Sequence, residues 1–210
     1  MRADSIAFAI SGMLFGVIVG WILGNQQSAG VAATVAPTAA AAPATAGGEG
    51  ARPPAAPLDE NRAKELVAAA SGAPTDPAPR VELGNLYFDA ERYPEAVEWY
   101  EQALRLRPND ANVSTDLGVA YYYTDQPDKA IQQFEQSLKS DPKHTKTMLN
   151  MGIVKAFGKQ DLAGAAAAWQ QVITTAPDSP EATAAKKALE GLQQAHPGGP
   201  AAGPSGASGS

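Results

Sequence analysis

Residues 81–110 read VELGNLYFDAERYPEAVEWYEQALRLRPND, and residues 115–144 read TDLGVAYYYTDQPDKAIQQFEQSLKSDPKH. Laid over one another they pair Leu83 with Leu117, Gly84 with Gly118, Tyr87 with Tyr121, Ala96 with Ala130, Tyr100 with Phe134, Leu104 with Leu138 and Pro108 with Pro142, always 34 positions apart. A third copy starts at Thr145 and supplies Met151, Gly152, Ala165, Trp169, Val172 and Pro177. It has one residue more than the others, which the sequence reading places in its GKQDLAG turn. Self-similarity at a fixed period of this length is the mark of a repeat architecture, so the fold question reduces to what one unit does.

Each unit reads as two amphipathic helices joined by a turn containing Pro94, Pro127 or the GKQD segment. The repeated glycines and Ala96, Ala130 and Ala165 fall where the paired helices cross closely, because a larger side chain would hold them apart. Tyr87, Tyr121, Tyr100, Phe134 and Trp169 are large enough to fill the gaps between successive helices, and Tyr87 and Tyr121 are expected in the core. Pro108, Pro142 and Pro177 stop the second helix of each unit.

The pattern resembles the tetratricopeptide repeat, a helix–turn–helix family of 34-residue units, across residues 77–179. Arg80 and Ser114 stand where that family often has tryptophan, Ser137 replaces a usual alanine, and Met151 and Lys155 take a leucine and a tyrosine position. The resemblance implies an all-α, three-repeat α-solenoid with units at 77–110, 111–144 and 145–179. Flanking helices within 58–76 and 180–195 would cap it, giving eight helices in a short right-handed superhelix. The first cap carries Ala63, Leu66, Val67 and Ala70 on one face. The second has Ser179 as N-cap, Pro180 at its first position, and an apolar stripe of Ala184, Ala188, Leu189 and Leu192. Solenoid ends need such caps, since a terminal repeat otherwise exposes its apolar face.

In this family the first helix of each repeat lines a concave groove that receives peptides. By position, Val81, Asn85, Phe88 and Asp89, then Thr115, Asp116, Val119, Tyr122 and Tyr123, then Lys146, Leu149, Asn150, Ile153 and Phe157 would face it. Asn85, Phe88, Val119, Tyr122, Tyr123, Lys146, Asn150, Ile153 and Phe157 are the candidate contacts for a protein or peptide partner. Members that hold the C-terminal carboxylate of chaperones clamp it with lysine, arginine and asparagine. Here only Asn85 and Lys146 match, Val81 and Asn150 replace basic residues, and Asp116 would repel a carboxylate, so chaperone-tail recognition is not expected.

Outside the repeats, residues 6–23 are uncharged and nearly all apolar or glycine, a run that spans about 27 Å as a helix, close to the thickness of a bilayer's hydrocarbon core. A transmembrane helix is expected at 6–24, with Trp21 at headgroup depth. Arg2 precedes it and no Lys or Arg follows until Arg52, so residues 1–5 are expected in the cytoplasm and the repeats on the exported side. The membrane is expected to be a bacterial inner membrane, with the repeats in the periplasm. Gly12, Gly16, Gly20 and Gly24 fall four apart and give the helix a smooth face for another helix, including a second copy. Cleavage after the run, which would release a soluble exported protein, is the competing expectation. A structural homo-oligomer within a membrane complex is another. Residues 25–57 and 196–210, rich in Ala, Pro and Gly, read as a disordered tether and tail. A tether of that length reaches about 30 Å as a flexible coil and about 90 Å as a polyproline helix.

The chain's 210 residues contain no cysteine, which removes disulfides, thiolate metal sites and a cysteine nucleophile. Its net charge is −6 with no basic block, a poor match for a phosphate backbone, so no nucleic-acid partner is expected. His144 and His196 are the only histidines, and His144 reads as a solvated turn residue. No catalytic residue, metal site or cofactor is expected, and repeats and caps use up the folded segment. The resulting expectation is a non-enzymatic scaffold. By analogy, similar bacterial proteins include periplasmic factors that present apocytochrome c for haem ligation.

Overall fold

The computed structural model describes residues 56–196. The expected transmembrane helix with its four glycines, the tether up to residue 55 and the tail from residue 197 lie outside the described residues. Among the described residues, no helix is long and apolar enough to cross a membrane.

Helix α1 (Glu60–Gly72) begins where the Asp59 carboxylate accepts from the amides of Asn61 and Arg62, at 3.1 and 2.9 Å. Three helix pairs follow: α2 (Ala78–Asp89) with α3 (Tyr93–Leu106), α4 (Ala111–Tyr123) with α5 (Pro127–Ser140), and α6 (Thr145–Ile153) with α7 (Leu162–Thr175). Helix α8 (Pro180–Ala195) closes the stack. Among the described residues there are eight α-helices and no strand, as the repeat period implies. Pro94 and Pro127 sit in the first turns of α3 and α5 rather than in the turns before them, where a missing amide proton costs nothing. Each second helix ends two residues before its proline, and Ser179 caps α8 by accepting from the Ala182 amide at 3.0 Å.

Within each pair the contact is glycine against ring. A Cβ added at Gly84 would run into the Tyr100 ring, one at Gly118 into Phe134, and one at Gly152 into the Trp169 indole. These rings are sealed, with 2, 0 and 1 % exposure, and Ala96, Ala130 and Ala165 are fully buried beside them. The Trp169 indole nitrogen donates to the Leu149 carbonyl at 3.2 Å, so the largest side chain keeps its polar atom satisfied. At the N-terminal end Ala63, Leu66 and Ala70 pack on Leu83, but Val67, at the edge of that stripe, is 40 % exposed.

The extra residue of the third unit is not in the turn. Each turn carries one non-glycine residue in the left-handed region: Glu91 (φ 58°), Asp125 (φ 59°) and Gln160 (φ 56°). Counting from that residue to the alanine of the second helix, the spacing is the same in Ala96, Ala130 and Ala165. The insertion therefore precedes the turn, and it appears as a single π-helical turn, Val154–Gly158, closed by Lys159 N–H donating to the Val154 carbonyl at 3.1 Å. The turn has a demanding backbone and the helix end can widen by one residue, so the helix takes up the insertion.

Three departures from the repeat pattern, Arg80, Ser114 and Ser137, form side-chain hydrogen bonds. The Arg80 guanidinium donates to the carbonyls of Ala70, Ala73 and Asp76, satisfying the open end of α1. Ser114 donates to the Gln133 carbonyl and accepts from the Gln133 side-chain amide. Ser137 lies in a buried hydroxyl cluster with Thr115 and Thr147. His144 is not the solvated turn residue the sequence suggests: it is half-buried, and both ring nitrogens are hydrogen-bonded, to Thr147 and Asn112. Its place at the N-cap of α6 turns the ring back onto α4, which a linear reading cannot see.

Candidate peptide-binding face

Successive helices pack against their neighbours, and in addition α4 touches α6 and α6 touches α8. No comparable contact joins α3 to α5 or α5 to α7. Helices that meet their next-but-one neighbours lie on the inside of a curved stack, so the first helices form the inner row.

The candidate contacts divide by exposure. Asn85 is exposed, and Val119, Tyr122, Tyr123, Lys146 and Phe157 are half-buried. Phe88, Asn150 and Ile153 are 8, 5 and 4 % exposed, which corrects their expected place as open groove surface. Phe88 goes under because Tyr93 and Tyr123 cover it, with ring centroids at 5.2 and 5.8 Å in edge-on contact. Tyr93 stacks on Tyr123 at 4.4 Å, with the planes 11° apart, and so ties the first repeat to the second. Tyr122 leans on Tyr123 at 5.9 Å, and beyond it Gly158 comes so close that an added Cβ would lie 2.9 Å from Pro127 Cβ and 3.1 Å from Tyr122. The result is an aromatic edge running from α2 to the π-turn.

Beside that edge lies a polar patch. Tyr100, itself buried, donates its hydroxyl to Asn85 Oδ1 at 2.8 Å. The Lys146 ammonium pairs with Asp116 Oδ1 at 2.8 Å across the second and third repeats. Burial, and then the charge of Asp116, push the Asp89 carboxyl up. Burial, followed by Asp116 and Asp89, pushes the Tyr100 phenol well above its usual range. Asp89, Asp116, Asn85 and Tyr100 thus share one electrostatic neighbourhood, and Lys146 beside it is already paired with a carboxylate. On the adjoining helices the Tyr121 hydroxyl donates to Glu101 at 2.5 Å, a second link between the first and second repeats.

Tyr93 and the Lys146–Asp116 pair were not singled out from sequence. Tyr93 stands where the second repeat has Pro127, so it reads as a turn residue, and the ion pair joins residues 30 apart on different repeats. An Asp and a Lys at nearby positions of successive first helices was the available signal. No group of three or more His, Asp or Glu that could hold a metal occurs among the described residues.

Two family profiles match the chain, one described as TPR repeat over residues 84–125 and one as tetratricopeptide repeat over residues 111–144. Together the two matches cover residues 84–144, which are similar to tetratricopeptide repeats. No curated protein matches it by sequence. Among solved structures it is similar to the first TPR of Spaghetti (RPAP3) bound to the HSP90 peptide SRMEEVD, at 22 % identity, covering 66 % of this chain and 95 % of that one, TM-score 0.50. It is also similar to MamA at 17 % identity, covering 63 % and 88 %, TM-score 0.53. The TPR domain of Arabidopsis OM64 is a further likeness, at 21 % identity, covering 57 % and 95 %, TM-score 0.51. Identities at this level establish the fold alone.

Proposed function

We propose that this chain is a membrane-tethered adaptor that performs no chemistry itself and holds a segment of a partner protein against its inner helix row. The observation that carries the binding reading is the surface of that row: Tyr122 and Tyr123 of α4, with Tyr93 of α3 stacked on Tyr123, and the exposed Asn85 amide of α2. Rigid aromatic surface with an adjacent hydrogen-bonding amide suits the apolar side chains and backbone of a bound peptide. The peptide is not one ending in acidic residues like SRMEEVD. A carboxylate approaching Lys146 meets Asp116 first, with Asp89 close behind.

The tether reading rests on the apolar run at 6–23 and its flanking charge; by that reading residues 1–5 would lie in the cytoplasm and the repeats on the periplasmic side of a bacterial inner membrane. Gly12, Gly16, Gly20 and Gly24 offer that helix a face for self-association. The test is a crosslinked pull-down of the full chain from membranes, with its intact mass measured. A retained N-terminus and a co-purifying exported protein that is lost in a folded Tyr122→Ala/Phe157→Ala variant support the reading. A soluble chain beginning near residue 30 contradicts the tether, and a partner retained by the folded variant contradicts the binding face.

A further inference from the structure

The three junctions between successive units use equivalent positions, and one is unlike the others. Where the first repeat meets the second the positions hold Val81, Ala103 and Val113, and where the third meets α8 they hold Leu149, Val172 and Ala182. The middle junction has Thr115, Ser137 and Thr147, each 0 % exposed. Thr115 Oγ1 lies 2.5 Å from Thr147 Oγ1 and 3.0 Å from Ser137 Oγ, and Ser137 Oγ lies 2.8 Å from Thr147 Oγ1. Thr115 and Ser137 also donate to the Ala111 carbonyl, at 2.7 and 2.9 Å. His144 completes the cluster, with Nδ1 at 2.6 Å from Thr147 Oγ1 and Nε2 at 3.0 Å from Asn112 Oδ1. The other two junctions have ordinary N-caps at this place, Asp110 and Ser179, whose side chains bond to helix amides, whereas His144 makes no such bond.

The hydrogen bonds define the tautomer of the neutral ring. Asn112 Oδ1 only accepts, so Nε2 carries the proton, and Nδ1 of the neutral ring accepts from the Thr147 hydroxyl. A second proton would turn Nδ1 into a donor. Thr147 would then have to turn its own proton inward, onto Thr115 or Ser137, whose protons go to the Ala111 carbonyl, and a cation would be seated against the buried cluster. Thr147 is sealed, so this hydroxyl–imidazole–amide series is closed to any substrate.

We propose that the middle junction is a proton-sensitive joint: protonation of His144 loosens the packing of the third repeat on the second while the flanking junctions hold. The charged groups facing the ring come from every element around it, with Asp116 on α4, Asp141 at the end of α5, Lys146 on α6 and Glu181 on α8. Burial lowers the imidazole pKa below its ordinary 6.5 and Lys146 adds to that, outweighing the opposing pull of Asp141, Asp116 and Glu181. The folded state therefore favours the neutral ring. Its contribution to stability is complete above 6.5 and is lost as the pH falls from there through the lowered value. If the inner row is the binding surface proposed above, loosening this junction weakens a partner held across both repeats, because the Lys146–Asp116 pair spans it too.

Amide hydrogen exchange of the full chain at pH 7.5 and 5.5, corrected for intrinsic exchange rates, tests the joint without any partner, so its failure and a failure of the binding reading are distinguishable. Protection in α4 and α6 should fall relative to α2 and α3, by no more than about tenfold per pH unit for a single proton. His144→Ser, which restores the cap type of the other junctions, should abolish the difference. If that variant does not fold, nitrogen NMR of the wild-type imidazole decides: an Nε2–H tautomer titrating below 6.5 supports the joint. Equal protection changes in all helices, an unaltered response in His144→Ser, or an imidazole titrating at its ordinary value would overturn it.

Discussion

The Lys146 ammonium lies 2.8 Å from Asp116 Oδ1, so the basic group beside the acidic patch of the inner row is neutralised by the neighbouring helix. Both side chains are about a quarter exposed, 24 and 23 %, and the pair is more a specificity element than a source of stability, contributing about 1 kcal/mol or less. Asp116→Asn should release the lysine. The variant is expected to bind a peptide with an acidic C-terminus about tenfold more tightly than wild type, the value of one charge-assisted hydrogen bond. Isothermal titration with SRMEEVD and its C-terminal amide measures this, and equal weak binding by both proteins would show that Asp116 does not control access.

The glycine-against-ring contact makes an opposite prediction for two glycine substitutions. Gly118→Ala drives a methyl group into the Phe134 ring, which is 0 % exposed and has no room to withdraw. Overpacking of this kind costs about 1–3 kcal/mol and should exceed the helix-propensity gain of about 1 kcal/mol. At Gly72 an added Cβ meets nothing within 4 Å, so Gly72→Ala should leave stability unchanged or raise it by up to about 1 kcal/mol. Urea unfolding midpoints of the two variants, compared with wild type, provide the check.

Gln160 holds a left-handed backbone without being glycine. That conformation costs an L-residue about 1–2 kcal/mol, part of which glycine returns as extra chain entropy in the unfolded state. Gln160→Gly should therefore stabilise the chain by about 0.5 kcal/mol, seen as a higher thermal midpoint.

How much of this was legible in advance depends on what each residue answers to. The glycines, the alanines and the aromatic rings 34 apart were readable because each is constrained by its partner within the same unit. The extra residue of the third unit could be counted but not located, because helix end and turn compete for it only through backbone geometry. Phe88, Asn150 and Ile153 were expected on the surface and are buried, since exposure on a first helix depends on what the next unit lays over it. Tyr93 covers Phe88 from a position that looks like a turn, and His144 folds back onto α4 from a corner. What was missed is contact between units and, for Tyr93 on Phe88, contact across the turn of one unit, neither of which a repeat period encodes.

Asp89 is raised by burial and by Asp116, so its ionised form is penalised in the folded chain. Asp89→Asn should raise the urea midpoint at pH 7. A carboxyl with a raised folded pKa sheds its penalty as the pH falls through that pKa, so the advantage of the variant should shrink under acid conditions. A constant difference between the two proteins from pH 7 to pH 4 would mean that the shift has no energetic weight.

The central claim is that the inner row of first helices is the surface that holds a partner. The most direct measurement places a photo-crosslinking residue at Asn85, at Val119 or at Glu135, in otherwise native full-length chains in cells. Asn85 and Val119 lie on α2 and α4, and Glu135 lies exposed on the second helix α5. Crosslinks to one discrete protein from Asn85 and Val119, absent from Glu135 and lost with Tyr122→Ala, are the predicted result. The same crosslinked protein from Glu135 alone, or in equal yield from all three sites, would contradict it.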